Sequence, residues 1–260
     1  MADLSQMKKF VRLCCSLAIG ALIGRAALSY GDPTPSTQPA QQTVGELVPS
    51  EDPVLKDFHS LGLIQGDLDI FRCACPVRDL GKKMATTQPT AHQLAEAVAR
   101  MQRLYDLGIR TDISFLNPDA PPGDEDRGKS LKNTVALEEA AAKQVGLAYV
   151  AFPISNAGPG SLEDMSDQAV LTWLESVSAE IFTRAKTGGV VFHCSAGHDR
   201  TGLVAAYLRI KYEHWPVDQA VDEMRRFGHN WVKYSANNGL SSWHEDHLRA
   251  IAQILAAQSQ

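Results

Sequence analysis

The chain has 260 residues, of which 44% are hydrophobic, enough for the core of one ordinary domain with additional segments. Its formal charge of −5 argues against a general nucleic-acid or membrane-surface binder, because such proteins carry an excess of basic residues. If an acidic protein of this kind binds an anion, it must concentrate its positive potential locally.

The start of the chain has the pattern of an export signal. Lys8 and Lys9 precede an apolar run over residues 13–24, which is shorter than the roughly 20 residues that a membrane span needs. Small residues follow at positions suited to cleavage. We therefore expect residues 1–30 to be a signal peptide, or else an uncleaved anchor, and the protein to be periplasmic, secreted or anchored in the membrane.

The next segment is rich in Pro, Thr, Ser and Gln, a composition typical of disorder. We predict a disordered linker over residues 31–53 and a folded domain over residues 54–260. The sequence shows no internal repeat.

Apolar strand-like segments alternate with amphipathic helix-like segments through the domain. A capping box at Thr90 opens the first helix, and Asn133 is expected to cap the second. The predicted strands cover about 58–69, 69–75, 109–115, 147–154 and 190–192, and the predicted helices about 90–107, 134–145, 168–186, 203–210, 217–227 and 243 onward. This order predicts an α/β fold with a mainly parallel central sheet flanked by helices.

One stretch joins a buried strand to a buried helix through a short loop. Cys194 ends the strand and Arg200 begins the helix, with five residues between them. A loop of this length turns its N–H groups toward one point, where the positive end of the helix also lies. These groups and the guanidinium stabilise a thiolate, so we expect the pKa of Cys194 to lie well below the roughly 8.5 of free cysteine. The loop offers a nucleophile together with donors for phosphoryl oxygens.

The motif His193-Cys194, five residues, Arg200-Thr201-Gly202 resembles the His-Cys-x5-Arg-Ser/Thr signature of the cysteine-dependent phosphatases. It looks most like the dual-specificity and bacterial tyrosine-protein phosphatases. The resemblance implies a dual-specificity-phosphatase-like fold and a phosphoric monoester hydrolase that works through a phosphocysteine, without metal or cofactor. The implied substrates are phosphorylated proteins of the phosphotyrosine type, or small phosphate esters.

The resemblance also implies a role for each residue of the loop. Cys194 attacks phosphorus, Thr201 stabilises the thiolate, and His193 and Gly202 support the loop. Arg72, in a strand that resembles another family motif, helps to place substrate or a loop, or else pairs with a carboxylate. The phosphate oxygens are expected to be bound by Ser195, Ala196, Gly197, His198, Asp199 and Arg200.

The general acid has two candidates. In the family it is usually an aspartate some thirty-odd residues before the cysteine, but here Asn156 stands near that place. Asp199, inside the signature loop, is the first candidate, because several related phosphatases use an aspartate there. We expect the like charge of the bound phosphate to raise its pKa. Asp164 is the alternative.

Three cysteines follow the leader, namely Cys73, Cys75 and Cys194, and a catalytic Cys194 accounts for the odd one. Cys73 and Cys75 are two buried thiols, a strained pair, or a source of reversible protection for Cys194. The Cys-x-Cys pattern alone lacks partners at zinc spacing.

Two other functions stay open. One is a phosphoinositide or inositol-phosphate phosphatase on the same fold, although His198 stands where lipid-active relatives often have lysine and carries less charge at neutral pH. The other is a catalytically weak phosphate-binding pseudophosphatase, because the usual loop acid is missing. In either case we expect a monomer that binds no nucleic acid.

Overall fold

The computed structural model describes residues 49–64, 68–120, 129–234 and 241–259. The predicted signal peptide or anchor lies outside them, as does most of the predicted linker. The end of that linker packs on the domain, because Asp52 is buried and accepts hydrogen bonds from Arg103 Nε (2.9 Å) and the Leu55 N–H (3.0 Å). The expected disorder therefore does not extend to Asp52.

A five-stranded sheet lies at the centre of the described domain, in the order β1-β2-β5-β3-β4. The β1–β2 pair is antiparallel and the other three pairs are parallel, which confirms the predicted mainly parallel sheet. The strands are β1 His59–Ile64, β2 Leu68–Ala74, β3 Ile109–Ser114, β4 Ala148–Ala151 and β5 Gly189–Cys194. Every residue of β5 is buried, as expected for the middle strand of a sheet covered on both faces.

Helices cover both faces of this sheet, and each face has its own apolar core. The helices of the described residues are α1 Arg78–Lys82, α2 Ala91–Asp106, α3 Lys129–Val145, α4 Asp167–Ala185, α5 Asp199–Glu213, α6 Val217–Arg226 and α7 Trp243–Gln258. Helices α1 to α3 contribute to one core and α4 to α7 to the other. Within the described ranges, no helix is both long enough and apolar enough to cross a membrane.

Of the two helix caps predicted at Thr90 and Asn133, the structure confirms one. Thr90 forms the expected capping box with Gln93. The prediction for Asn133 was wrong, because α3 begins at Lys129 and Asn133 lies inside it. Its buried amide donates instead to the Met84 carbonyl, 2.8 Å away, so a tertiary contact satisfies the polar group.

The sheet places the signature loop at its carboxyl edge. In the parallel registers, Cys194 pairs with Ala74 of β2, and His193 pairs with Ser114 of β3. The loop after β5 therefore emerges between the ends of two neighbouring strands. In open α/β sheets this edge is where ligands bind.

Candidate active site

The loop from Ser195 to His198 joins β5 directly to α5. In the described part of the chain, the N–H groups of Ser195, Ala196 and Gly197 donate to no backbone carbonyl or side chain. These donors lie beside the N-terminus of a fifteen-residue helix, whose dipole favours negative charge. The loop thus has the backbone chemistry of an anion site.

Two glycines allow the loop and helix to pack closely. Gly197 has φ +79°, and a Cβ there would lie 2.6 Å from the Cys73 carbonyl oxygen. At Gly202, a Cβ would lie 2.7 Å from Met224 Cγ, so the glycine lets α5 approach α6. Any other residue at either position would displace the loop or the helix that carries it.

Arg72 holds this loop from β2. Its side chain is buried, and Nη2 donates to the Gly197 carbonyl oxygen over 2.7 Å. Its guanidinium also lies 4.6 Å from the centre of the Phe227 ring. Of the alternatives for Arg72, the structure therefore supports placement of the loop.

Cys194 lies at the base of the loop and is buried. Burial by itself raises the pKa of this thiol, but the charge of Arg200 and the hydrogen bond from Thr201 outweigh that effect, so the pKa is lowered. The Thr201 hydroxyl also accepts from the Cys194 N–H, 2.7 Å away. The direction of this pKa shift is the one expected from the sequence and favours a thiolate nucleophile.

Arg200 is buried at the first turn of α5, where the strands determine its orientation. Its Nη1 donates to the Ile154 carbonyl (2.9 Å) and more weakly to the Phe115 carbonyl (3.4 Å). Both carbonyls follow the carboxyl ends of parallel strands. The planar guanidinium is thus held in place beside the thiol, before any ligand arrives.

His193 supports the loop from below, in a fully buried cluster of charges. Its Nδ1 lies 3.1 Å from the Cys194 carbonyl oxygen, and its Nε2 lies 3.1 Å from Asp112 Oδ1 and 3.2 Å from Glu138 Oε1. Burial opposes ionisation, but the two carboxyl groups raise the pKa of His193 well above its usual value. Both ring nitrogens therefore carry protons, which supports the predicted structural role.

The two acids of this cluster behave differently. Burial raises the pKa of Asp112, whereas the charge and hydrogen bond of His193 overcome burial and lower the pKa of Glu138. Sequence reasoning missed both residues, since no local motif connects β3 or α3 with the signature. The only sequence signal was an acidic residue, Asp112, in the middle of a predicted strand.

The same cluster contains the donor set most suited to a metal in the described residues. Ligand atoms of Cys75, Glu138 and His193 lie within 4.8 Å of one another. These atoms already contact one another, however, since Cys75 Sγ lies 3.1 Å from Glu138 Oε1, which in turn lies 3.2 Å from His193 Nε2. We therefore assign the cluster to support of the loop.

Cys73 and Cys75 are free, buried thiols. Their neighbour Ala74 pairs with Cys194, so their side chains point to the opposite face of the sheet, where they join the other core. Burial raises the pKa of each well above the usual value. This arrangement supports two buried thiols and not a strained pair or reversible protection of Cys194.

Asp199 lies in the first turn of α5 and is held by a residue that the sequence did not suggest. Its Oδ1 lies 2.6 Å from Nδ1 of the buried His229 and 3.4 Å from the Asn230 N–H. Burial alone would raise the pKa of Asp199, but the hydrogen bond from His229 outweighs it and lowers the pKa. A loop thirty residues later thus supplies the contact that lowers the pKa in the protein without ligand, and the upward shift expected from the charge of a bound phosphate stays a prediction.

The alternative acid, Asp164, is exposed and caps its own loop, where Oδ2 accepts from the Gly160 N–H at 3.1 Å. Asn156 is buried and lies 3.2 Å from His244 Nε2. The structure therefore gives Asn156 a structural amide role and shows no contact between Asp164 and the signature loop within the described ranges.

His198 lies on the rim of the loop, half-buried. Its Nε2 lies 3.3 Å from Asp57 Oδ2, and the contact lowers the pKa of Asp57 despite burial. A carboxylate thus partly offsets any positive charge at this position. The expectation that His198 presents less positive charge than a lysine would stays a prediction.

Comparisons with known proteins connect this site to phosphatases. Residues 91–210, which include the signature loop, match a sequence family described as the tyrosine phosphatase family. The dual specificity protein phosphatase TpbA of Pseudomonas aeruginosa strain UCBPP-PA14 is 29% identical over 153 residues, which are 59% of this chain and 56% of TpbA. The chain thus spans little more than half the length of this curated relative.

Two solved structures are also similar. The crystal structure of P. aeruginosa TpbA has 19% identity and a TM-score of 0.45, covering 83% of this chain and 98% of that one. A structure of kinase associated phosphatase, with its catalytic cysteine replaced by serine, has 18% identity and a TM-score of 0.49, covering 80% and 99%.

Proposed function

We propose that this chain belongs to the cysteine-dependent phosphatase superfamily, in its dual-specificity type, and that it hydrolyses phosphate monoesters through a phosphocysteine intermediate. One observation carries the proposal: the Cys194 thiol, with its lowered pKa, lies in a loop of available N–H groups beside the fixed guanidinium of Arg200. A nucleophile and donors for three phosphoryl oxygens thus converge at one point.

The first step is an in-line displacement at phosphorus. The Cys194 thiolate forms a bond to phosphorus as the bond to the ester oxygen breaks. The loop N–H groups and Arg200 hold the equatorial oxygens and stabilise the charge of the transition state. In the second step water attacks the phosphocysteine, and the hydrogen bond from Thr201 stabilises the departing thiolate.

Asp199 is the proposed general acid of the first step. It protonates the leaving oxygen, and its carboxylate then takes a proton from the attacking water in the second step. The observation in its favour is its place in the first turn of α5, directly next to Arg200.

We expect Asp199→Asn to slow hydrolysis of an alkyl phosphate by about 10²-fold or more, and of an activated aryl phosphate far less, because only the alkyl oxygen needs a proton to leave. Steady-state kinetics with both substrates measure the difference. Asp164→Asn, which changes an exposed carboxyl outside the site, is the matched control and should affect neither substrate. Equal losses on both substrates in Asp199→Asn would contradict the acid role.

The proposed substrates are phosphorylated proteins, including those with phosphotyrosine. This follows from the signature and from the name of the relative TpbA, a dual specificity protein phosphatase. We further propose that the protein is bacterial and acts as a monomer. The pattern of residues 1–30 supports export, either by cleavage or as an anchor.

The activity is tested with the full chain and para-nitrophenyl phosphate. We expect hydrolysis that persists in EDTA, because the proposed chemistry uses no metal, and that is lost on oxidation and restored by a thiol reductant. A reduced, folded protein without activity would contradict the proposal and favour a phosphate-binding protein. Activity that EDTA abolishes would contradict the thiolate mechanism.

A further inference from the structure

A buried histidine connects the signature loop to the start of the last helix. His229 follows α6, and its side chain is fully buried. Its Nδ1 lies 2.6 Å from Asp199 Oδ1, and its Nε2 lies 2.7 Å from the hydroxyl oxygen of Ser242, the N-cap of α7. Both ring nitrogens thus have polar partners, and these fix the plane of the ring.

The two oxygens of Asp199 are in different environments. Oδ1 accepts from His229 and also faces the Asn230 N–H at 3.4 Å. Oδ2 makes no hydrogen bond to any residue that the structure describes, and the side chain is 13% exposed. A carboxyl group whose one oxygen is held in this way presents the other oxygen in a fixed direction.

We propose that His229 is a positioning residue that holds Oδ1 of Asp199 and orients Oδ2 toward the leaving group. The inference rests on the proposed function and adds to it. In the acid state the proton is on Oδ2 while Oδ1 accepts from the His229 Nδ1–H. When Oδ2 gives its proton to the leaving oxygen, the new carboxylate keeps the same bond, so no side chain has to rotate.

Ser242 supports the hydrogen bond from the His229 Nδ1–H to Asp199 Oδ1. Its Oγ already accepts from the Glu245 N–H at 3.3 Å, so its own hydroxyl proton can be donated to Nε2 of His229. When Nε2 accepts that hydrogen bond, the ring N–H proton lies on Nδ1, facing Asp199. The N-cap of α7 therefore selects the tautomer that the proposed role requires.

The side chains around His229 and Asp199 favour a proton on His229 Nδ1. Glu245 Oε1 lies 3.8 Å from His229 Nε2, but its carboxylate is bound by Arg225 at 2.7 Å. Two further titratable side chains that the structure describes lie near His229, namely His244, with ring centres 5.1 Å apart, and Tyr234, at 6.3 Å. His244 stays neutral, because burial lowers its pKa well below the usual value.

Asp199 faces a second set of charges. These are His198, Arg200 and the Cys194 thiolate, besides His229 and His244. Replacing His229 alone leaves His198, Arg200, Cys194 and His244 in the chain. A change in the titration of Asp199 in that variant is therefore attributable to the lost bond.

The test is the pH dependence of kcat/KM for an alkyl phosphate in the full chain, His229→Leu and His229→Asn. The protonated fraction of Asp199 declines as pH rises, and its lowered pKa places this decline in the acidic range, so wild-type activity should fall on the alkaline side of an acidic optimum. Loss of the bond raises that pKa. We expect His229→Leu to move the descending limb to higher pH by about one unit and to lower the maximum by about tenfold.

His229→Asn keeps an amide donor near the position of Nδ1 and should recover part of the maximum. The matched control is His247→Leu, because His247 makes the same pair of bonds, to Asp167 Oδ1 (2.6 Å) and the Leu162 carbonyl (2.8 Å), away from the loop. His247→Leu should lower thermal stability without moving the descending limb of the pH profile of kcat/KM. If His229→Leu fails to fold, His229→Asn and Ser242→Ala carry the test, since each weakens one side of the bridge.

The outcomes separate the two proposals. A folded wild type with no activity overturns the proposed function and this inference together. An active wild type whose His229 variants keep both the descending limb and the maximum overturns the inference alone. The inference is also overturned if the His229 variants and His247→Leu all lower the maximum of kcat/KM but leave the descending limb at the same pH. A purely structural loss would behave in that way.

Discussion

Cys194→Ser should lose on the order of 10⁴-fold or more in kcat while it still binds phosphorylated ligand. The serine hydroxyl keeps nearly the size of the thiol, so the loop N–H groups and Arg200 remain in place for the phosphoryl group. It does not ionise near neutral pH, however, and the same environment that lowers the pKa of the thiol cannot make it a comparable nucleophile. Turnover of para-nitrophenyl phosphate and calorimetric binding of phosphotyrosine measure the two effects separately.

The matched control is Cys73→Ala. Cys73 is also a buried thiol and lies one residue from the partner of Cys194 in the sheet, but its side chain belongs to the opposite core. We expect near-normal kcat and a stability loss of about 1 kcal/mol. A Cys194→Ser variant that retains turnover would disprove the phosphocysteine, whereas one that folds but does not bind ligand would place the anion site elsewhere.

Features that depend on neighbouring residues in sequence could be predicted without the structure. The signature combines an apolar strand, a loop of fixed length and a helix, so Cys194, Arg200 and Thr201 are placed by their spacing alone. Likewise, the alternation of strands and helices was sufficient to predict the mainly parallel sheet. Even the direction of the pKa shift of Cys194 followed from the local charges.

Features that depend on distant contacts could not be predicted. His229 reaches Asp199 across thirty residues, and Glu138 reaches His193 across fifty-five, with no periodic pattern to connect either pair. The same reason explains the error at Asn133, whose amide found a tertiary partner and not the helix N-terminus. A buried polar side chain is satisfied by whatever the fold brings near it, and single-sequence reasoning does not show that partner.

Arg200→Lys should lower kcat by about 10²- to 10³-fold, although the positive charge is kept. A guanidinium can direct two parallel N–H groups at phosphoryl oxygens while another N–H stays bonded to the Ile154 carbonyl. A lysine ammonium must choose between these partners and has no planar fork. Since phosphoryl charge is spread over three oxygens in the transition state, the loss should appear mainly in kcat and less in KM.

The control variant for this prediction is Arg209→Lys in the same helix. Arg209 is also buried and donates through Nε and Nη2 to both oxygens of Glu223, at 3.1 and 3.0 Å, but it lies beyond the signature loop. Its replacement should lower the melting temperature and leave kcat nearly unchanged. Similar kcat losses in the two variants would mean that Arg200 acts through the stability of α5, because a specific transition-state contact predicts a loss only at Arg200.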